Sequence, residues 1–485
     1  MAMTEIQKKD AIRAYGNFFA GCIMVIAATF DTCFNIYAVD LKKTFGYSQT
    51  ELEFVAAAGM VGLFFALPCP LLMKRFGFNK TMVITFFIAE IGMVGMGICA
   101  SYPDVFSDQI ILFSIFQFMA SNGNVYLLLI AIDLSVASFP IRHAGKLIGV
   151  LNAFCSIGNI VYVGIYSTFF GSTGNVAGLF FAASGMVAFC LIGYTILQNV
   201  APARKVIEEE IEPPSTPEEN HNQRYGYSNS EKAALIRKDF HESFELIEKK
   251  SDTGFRANDV YEPPGSVLTL PLLATTCLFH LIAWPSAISE TVGYLYMNNI
   301  SSMLESLGIE GSRDPFIIAL TLSSSIVRIA IGAVFDVVRG YNRRVALLIS
   351  SSALYVLSIV VIFFDMNSYA AVMTGTIISG LGLGVIITIS LAFLTSMFGK
   401  QNNILVQGCF LTLTCFVQLG MHLIVGHFYD VAGDHAAAMA DSSIPECFNN
   451  FCFLWSLLLM LMVSSLSIGF YSVLYIIKDK MHLYR

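Results

Sequence analysis

Charged residues are scarce in this sequence: they make up 13% of its 485 residues, whereas hydrophobic residues make up 55%. Soluble domains carry about 25% charged residues, so this composition excludes an ordinary soluble globular protein. The 40 phenylalanines agree with this conclusion, because lipid-facing helices have room for side chains that a small soluble core cannot hide. The composition therefore predicts a polytopic membrane protein.

The sequence also lacks the residue patterns of enzymes and of ATP-driven pumps. It contains no Walker-type phosphate loop, paired carboxylates or nucleophile beside a base at recognisable spacing. Cysteine and histidine are not spaced as a zinc site requires. The net charge of -7 says little about nucleic acid, but no basic patch exists outside the short cytosolic loops, so we expect no nucleic-acid partner. We therefore expect no enzymatic activity, no cofactor and no metal.

The eleven cysteines are mostly isolated within apolar runs, where a thiol behaves as a small hydrophobe. Cys447 and Cys452 differ, because they lie at a loop-to-helix junction that we place on the non-cytosolic side of the membrane. A disulfide persists in such a compartment. The spacing leaves two alternatives open at this point, a bridge or two free thiols.

Twelve apolar runs are long enough to cross a bilayer as helices. The first six cover about residues 16–38, 52–73, 81–100, 109–137, 146–169 and 175–197. The other six cover about residues 267–297, 315–337, 345–364, 370–398, 404–427 and 451–476. The polar start and the full-length first run predict an uncleaved anchor. The fold class is therefore all-α, with a six-helix bundle in residues 1–197, another in 267–477 and a tail in 478–485.

The basic residues predict how the chain is oriented, because Lys and Arg concentrate in cytosolic loops. If both termini are cytosolic, only Lys42, Lys43 and Arg313 fall on the opposite side, and only Arg328 lies within a helix. Every other Lys and Arg then lies on the cytosolic side. An odd number of helices would destroy this asymmetry, so the charges favour twelve helices with both termini in the cytosol.

Residues 198–266 separate the two halves and are rich in Glu, Lys, Pro, Asn and Ser. This composition predicts a cytosolic linker that is largely flexible. Its middle, Ser230 to Lys250, has the apolar spacing of an amphipathic helix. Glu231 to Ile236 and Glu242 to Ile247 also fit the acidic dileucine pattern that binds sorting adaptors, although helical spacing alone produces such matches.

The loops that follow the second and eighth helices are alike, and both resemble the signature of the major facilitator superfamily. That signature reads roughly Gly, three residues, Asp-Arg, one residue, Gly, then basic residues. The second copy keeps Gly332, Asp336, Arg339, Gly340 and Arg344, although inserted residues displace Arg339 and Gly340 from the Asp. The first copy keeps Arg75, Gly77 and Lys80, but has Pro70 for the first Gly and Lys74 for the Asp.

The resemblance implies two bundles that rock about a solute site near the midplane of the membrane. It also implies a cytosolic latch, in which the Asp meets a helix N-terminus or a basic side chain of the neighbouring bundle in one access state. We expect gating roles for Asp336, Arg339, Arg344 and Arg75. We also expect one for Pro285 of the seventh helix, which is discussed below.

Other segments resemble the nodulin-like branch of this superfamily, which is close to monocarboxylate and oxalate/formate carriers. They are FGYSQTELEFV (45–55), FALPCPLLMKRFG (65–77), FPIRHAGKLIG (139–149), NNISSMLESLG (298–308) and GHFYD (426–430). The spacing of Arg328, Gly332 and Asp336 also resembles the eighth helix of monocarboxylate transporters, whose arginine is implicated in anion binding. Ser324 stands where those proteins usually have a carboxylate, so the resemblance leaves the proton acceptor unassigned.

Arg328 is the leading candidate for a substrate contact. A guanidinium inside the hydrocarbon costs at least ~2.5–3.5 kcal/mol, so it should face a cavity or a carboxylate rather than lipid. The alternative is a structural arginine that ties two helices together through backbone carbonyls. Asp31 on the first helix and Asp133 on the fourth are its candidate partners or proton acceptors, whereas Glu90 lies on a helix that is usually peripheral in this superfamily.

The seventh helix carries the remaining candidates. Pro285 removes a backbone hydrogen bond, so we expect a kink that turns free carbonyls towards the cavity and serves a moving outer gate. The other candidate substrate contacts on this helix are His280, Glu290, Tyr294 and Asn298. For His280, hydrogen-bonded packing is the more common role of a single histidine on an apolar helix, and we treat His422 in the same way.

These patterns favour a monomeric secondary carrier for a small organic anion such as a monocarboxylate, moved with a proton across the plasma membrane or an endomembrane. A second hypothesis is a carrier of a neutral, zwitterionic or cationic solute, in which Arg328 is structural and Asp31 or Asp133 holds the ligand. A third, from another class, is a non-transporting receptor that signals through its linker.

Overall fold

The computed structural model describes residues 5–47, 49–139, 143–171, 173–200, 269–307, 309, 313–338, 340–440 and 451–481. All regular elements in these ranges are helices, and helices cover most of each of the twelve predicted apolar runs. Cys447, Arg339 and residues 201–266 of the linker lie outside the described residues, as does the side chain of Cys452. We label the helices α1 to α12 by membrane span.

The first half contains α1 to α6. Helix α1 begins as Glu5–Ala27, passes through the 3₁₀ turn Ala28–Cys33 and ends as Phe34–Phe45. Helix α2 combines Gln49–Phe64 with residues 68–76, and the chain bends at Gly77, where φ is 75°, into α3 at residues 78–101. The rest are α4 (Ile110–Ser138), α5 (Ala144–Ile165, extended by the π-helical turn Tyr166–Phe170) and α6 (Val176–Val200).

The second half contains α7 to α12. The short helix Leu270–Thr275 leads into α7 (Cys277–Ser306) and α8 (Asp314–Val337). The following helices are α9 (Tyr341–Phe364), α10 (Tyr369–Phe398), α11 (Asn403–Ala440) and α12 (Phe451–Met481).

Ten helices of the described chain are long and apolar enough to cross a membrane. Two spans fall short by this measure for different reasons. Helix α2 is interrupted, so its apolar part is the shorter segment Phe54–Phe64. Helix α7 is continuous, but it buries polar side chains such as Ser286, Ser289 and Glu290. Low hydropathy in α7 therefore reflects residues that face other helices rather than lipid.

The outer surface of the helices is apolar, as a membrane environment requires. Phe364 is 92% exposed and Phe189 is 81% exposed. Apolar surface on this scale would favour aggregation in water, whereas hydrocarbon tails cover it without cost.

The interruption of α2 is held from both halves of the protein. Asn122 of α4 donates from Nδ2 to the carbonyls of Gly62 at 3.0 Å and Phe65 at 2.7 Å. The backbone N–H of Leu67 donates to Oγ1 of Thr412 on α11 at 2.8 Å. These bonds satisfy backbone groups that the break removes from the helix, so irregular backbone is tolerated inside the membrane.

Helices α5 and α8 meet through glycines and join the two halves. A Cβ on Gly149 would lie 2.5 Å from the carbonyl oxygen of Arg328, and one on Gly145 would lie 2.7 Å from that of Gly332. Only glycine permits backbones to approach so closely. This contact sets the backbone of Arg328 directly against the opposite half of the protein.

Candidate functional site

A cavity lies between the two halves, and residues of both halves line it. Its walls come from α1, α5, α7, α8 and α10. The space between them measures about 300 Å³, including the part that is open to the outside. The polar side chains of the lining are Thr32, Ser156, Asn159, Tyr294, Thr321, Ser324 and Arg328.

Arg328 is 5% exposed and lines the cavity from α8. Its Nε–H donates to Oγ of Ser324, one helical turn earlier, at 3.1 Å. Its Nη1 donates to the backbone carbonyl of Asn152 on α5 at 2.6 Å. Within the described chain its hydrogen bonds are thus to a hydroxyl and a carbonyl rather than to a carboxylate. They use only two of the five guanidinium donors.

Glu290 of α7 is a candidate carboxylate partner for Arg328. Its side chain is 2% exposed, and its Oε2 has no hydrogen-bond partner among the described residues. Its charge interacts with that of Arg328, although no hydrogen bond joins the two groups in this structure. A buried cation of the cavity lining and a buried carboxyl group outside that lining thus interact without a hydrogen bond.

Asn159 of α5 faces the cavity in a defined orientation. Its Oδ1 accepts from Oγ1 of Thr32 at 2.7 Å and from Sγ of Cys33 at 3.2 Å. Because both donors come from α1, the acceptor end of the amide is occupied and the Nδ2 donor remains for the cavity. Sequence reasoning missed Asn159. The signal was the spacing of Asn152, Ser156 and Asn159, which places three polar residues on one face of α5.

The acidic residues that the sequence singled out in the first half belong to three different helices. Asp31 belongs to the 3₁₀ turn of α1, next to the cavity residue Thr32, and its side chain lies outside the described residues. Asp133 is half-buried on α4 and interacts electrostatically with Cys69. It is not part of the cavity lining. Glu90 of α3 accepts a hydrogen bond from Ser184 of α6, away from the cavity.

The candidates on α7 separate into cavity residues and others. Tyr294 lines the cavity, with its ring edge-on to that of Phe64 at 5.2 Å between centroids. The side-chain amide of Asn298, one turn further, is inaccessible and has no partner among the described residues. His280 lies outside the cavity lining, with Nε2 2.7 Å from the carbonyl oxygen of Ala274.

Pro285 does not interrupt α7, which runs as one α-helix from Cys277 to Ser306. Its carbonyl accepts a hydrogen bond from Oγ of Ser467 on α12 at 3.0 Å. This polar group therefore points to a neighbouring helix of the same half.

Asp336 connects the halves at the predicted cytosolic side. Its Oδ1 accepts from the backbone N–H of Gly145 at 2.9 Å, and its Oδ2 accepts from that of Lys146 at 3.0 Å. Both donors belong to the first turn of α5, whose unsatisfied N–H groups and positive dipole end favour a carboxylate. The C-terminal end of α8 thereby caps a helix of the opposite half.

The predicted gating arginines have different surroundings. The guanidinium of Arg344 lies over the ring of Phe335 at 4.3 Å and interacts electrostatically with Asp336. It also donates to the carbonyl of Val338 at 3.2 Å and to Oγ of Ser396 at 3.1 Å. Arg75, in the first-half loop, is exposed and lies 5.3 Å from the ring of its neighbour Phe76.

Two similar bundles, a polar cavity between them and a capped helix at one end form the architecture of a known group of carriers. Residues 20–421 match the sequence profile of the Major Facilitator Superfamily. The chain belongs to this superfamily. Its members are transporters rather than enzymes, so the chain is a multi-pass membrane protein that carries small solutes. Comparison with the curated proteins found no match.

Solved structures of the superfamily have the same fold. The proton:xylose symporter XylE bound to 6-bromo-6-deoxy-D-glucose superposes with a TM-score of 0.61 at 11% identity, over 95% of each chain. XylE from E. coli in a partially occluded inward-open conformation gives 0.61 and 11%, over 94% of this chain and 96% of that one. The human organic anion transporter MFSD10 gives 0.58 and 13%, over 93% and 99%. At these identities the likeness shows the fold alone, and the predicted fold class is confirmed.

Proposed function

We propose that this superfamily member transports a small organic anion of the monocarboxylate type together with a proton. The observation that carries the proposal is the polarity of the cavity. Arg328 of one half and the Nδ2 group of Asn159 of the other present hydrogen-bond donors to the same space. The acceptor of Asn159 is already occupied by Thr32 and Cys33. A solute with a carboxylate and a second acceptor group matches this arrangement.

The buried carboxyl group of Glu290 supports coupling to a proton. When a solute carboxylate pairs with Arg328, two carboxyl groups face one guanidinium. An uncompensated charge in a buried site is strongly unfavourable, so the loaded site is balanced when Glu290 carries a proton. Proton and anion then cross together as the bundles rock. Glu290 thus takes the role that the sequence left unassigned when Ser324 replaced the usual carboxylate.

The comparisons support this proposal only at the level of the fold. One similar structure is described as an organic anion transporter and another as a proton symporter for xylose. The sequence resemblance to the nodulin-like and monocarboxylate-transporter branch points in the same direction.

One observation favours the alternative of a neutral, zwitterionic or cationic solute. The bond between Arg328 and the carbonyl of Asn152 joins the two halves, as a purely structural arginine would. In that case Arg328 contributes to stability and the solute binds elsewhere in the cavity.

Uptake by purified protein in proteoliposomes tests the proposal. We expect labelled two- to four-carbon carboxylates to accumulate when the lumen is alkaline, and xylose and neutral amino acids not to. Glu290→Gln should retain anion exchange at equal pH on both sides but lose accumulation driven by the pH gradient. Accumulation of a neutral solute, with no response to carboxylates, would contradict the proposal and favour the alternative.

A further inference from the structure

Tyr355 of α9 fills a slot between two neighbouring helices, and two glycines form that slot. A Cβ on Gly293 of α7 would collide with the Tyr355 hydroxyl, and one on Gly382 of α10 would lie 3.1 Å from the ring atom Cε1. The side chain is 1% exposed. The glycines thus let a hydroxyl reach the surface of α7 from a helix that contributes nothing to the described lining of the cavity.

The Tyr355 hydroxyl has no hydrogen-bond partner among the described residues. A buried polar group left unpaired costs about 1–3 kcal/mol. Phenylalanine would fill the same slot without that cost, so packing alone gives no reason for a hydroxyl at this position.

Glu290 provides the complementary group. It lies three residues before Gly293 and therefore on the same face of α7, against which the Tyr355 hydroxyl packs. Its Oε2 is also unpaired, and the two groups interact electrostatically. An unpaired donor and an unpaired acceptor thus lie at the same face of α7.

The other titratable groups around Tyr355 are Tyr294 on α7, Arg328 on α8 and Tyr471 on α12. Tyr471 already donates to Oγ of Ser286 at 3.0 Å. The nearby residues of α10, Gly382 and Leu383, carry no charge. Tyr471 is therefore engaged with Ser286, whereas the Tyr355 hydroxyl has no partner among the described residues.

We propose that Tyr355 is a positioning residue for the proton-coupling carboxyl group. Its hydroxyl donates to the carboxylate of Glu290 while that group is charged, a bond that is absent from the arrangement described here. When a solute anion pairs with Arg328, a proton from solution binds a Glu290 oxygen, and this hydrogen bond is released. Tyr355 keeps its own proton throughout. The inference rests on the proposed function, because it assigns Tyr355 a part in the same coupling step.

Tyr355→Phe tests the inference by removing only the hydroxyl. A hydrogen bond to an ionised group contributes about 1.5–3 kcal/mol, which corresponds to a shift of about one to two pH units in proton binding. Loss of this bond disfavours the charged form. The pH of half-maximal anion uptake should therefore rise by about one unit, with the thermal midpoint unchanged or higher. Tyr296→Phe is the matched control, because this buried tyrosine bonds Thr376 instead.

Gly293→Ala provides a second test that leaves Tyr355 in place. The added methyl group displaces the hydroxyl, so the pH profile should shift in the same direction, whereas Gly185→Ala, with open space around it, should not change it. A wild-type pH profile for Tyr355→Phe would overturn the inference. Failure of the proposed function would look different, because wild-type protein itself would then show no proton-driven uptake of anions.

Discussion

At the residue scale, the position of Arg328 allows both of the roles that the sequence presented as alternatives. It bonds the backbone of the opposite half through Nη1 and still lines the cavity. One guanidinium has enough donors for both, because it carries five N–H groups in a planar fork. Lysine keeps the positive charge but lacks the fork. The two roles are therefore separable by substitution.

Arg328→Lys should raise the KM for the anion by about 10- to 100-fold, because one or two charge-assisted hydrogen bonds are lost. Arg328→Ala should abolish uptake while the protein still inserts into the membrane, since removal of the cation lowers the cost of insertion. Uptake kinetics in proteoliposomes measure both effects. Arg343→Ala, at an exposed position, is the control and should retain wild-type KM.

A purely structural Arg328 would behave differently. Loss of the contact with Asn152 lowers the thermal midpoint in either case, but with a purely structural Arg328 the remaining protein would still transport organic acids. Saturable uptake of these acids by Arg328→Ala at the wild-type KM would contradict the anion-contact role.

At the element scale, the α5–α8 pair shows how small residues position a functional one. The sequence places Gly145 and Gly149 four residues apart on α5 and Gly332 four residues after Arg328 on α8. This spacing puts each glycine on the face of its helix that meets the other helix. Close approach then brings the guanidinium within reach of the Asn152 carbonyl.

Gly149→Ala should destabilise the protein by about 1–3 kcal/mol, because its methyl group would overlap the carbonyl oxygen of Arg328. Gly164→Ala on the same helix meets no atom within 4 Å and should keep or raise stability, since alanine favours helix by about 1 kcal/mol over glycine. The midpoints of thermal unfolding of the two variants in detergent measure this difference. Equal midpoints would contradict the prediction, because they would mean that α5 and α8 can move apart at little cost.

The hydropathy pattern did not predict the break in α2. The apolar run predicts one helix over about residues 52–73, whereas the helix ends at Phe64 and resumes at Pro68. Proline at the start of the second segment indicated the restart, since it suits the first turn of a helix. The pattern could not reveal Asn122 and Thr412, which come from distant parts of the chain to satisfy the free backbone groups.

At the scale of the whole molecule, Asp336 ties the two halves at one end of the cavity. Its carboxylate accepts two backbone hydrogen bonds from the first turn of α5, and both must break if the halves are to separate there. The bonds stabilise one arrangement of the bundles and contribute nothing to solute contact. A gating role for Asp336 therefore stays a prediction with a clear kinetic signature.

Asp336→Asn should lower the maximal transport rate more than it changes the KM for the solute. The amide keeps one acceptor oxygen but loses the charge that favours the helix N-terminus, so the balance of access states shifts. Initial rates over a range of solute concentrations separate the two parameters. Lys74→Ala, at the exposed equivalent position of the first half, should have the smaller effect. A larger effect for Lys74→Ala would show that the two loops are not equivalent.

The sequence by itself determined the class of protein, and it predicts twelve spans and their orientation. These properties follow from transfer free energies that add residue by residue, so local composition is enough to read them. The same holds for the signature loop around Asp336, where one short segment carries the resemblance. The branch of the superfamily and the solute stay predictions.

Only the tertiary structure decided which polar residues share one site. Thr32, Asn159, Tyr294 and Arg328 come from four helices of two halves, and nothing in their local sequence states that they meet. Asp133 and His280 looked equally promising, yet they lie outside the cavity lining. The physical reason is that a site depends on which helix faces meet across the interface. Backbone contacts such as Gly149 against Arg328, distant in the chain, set that arrangement.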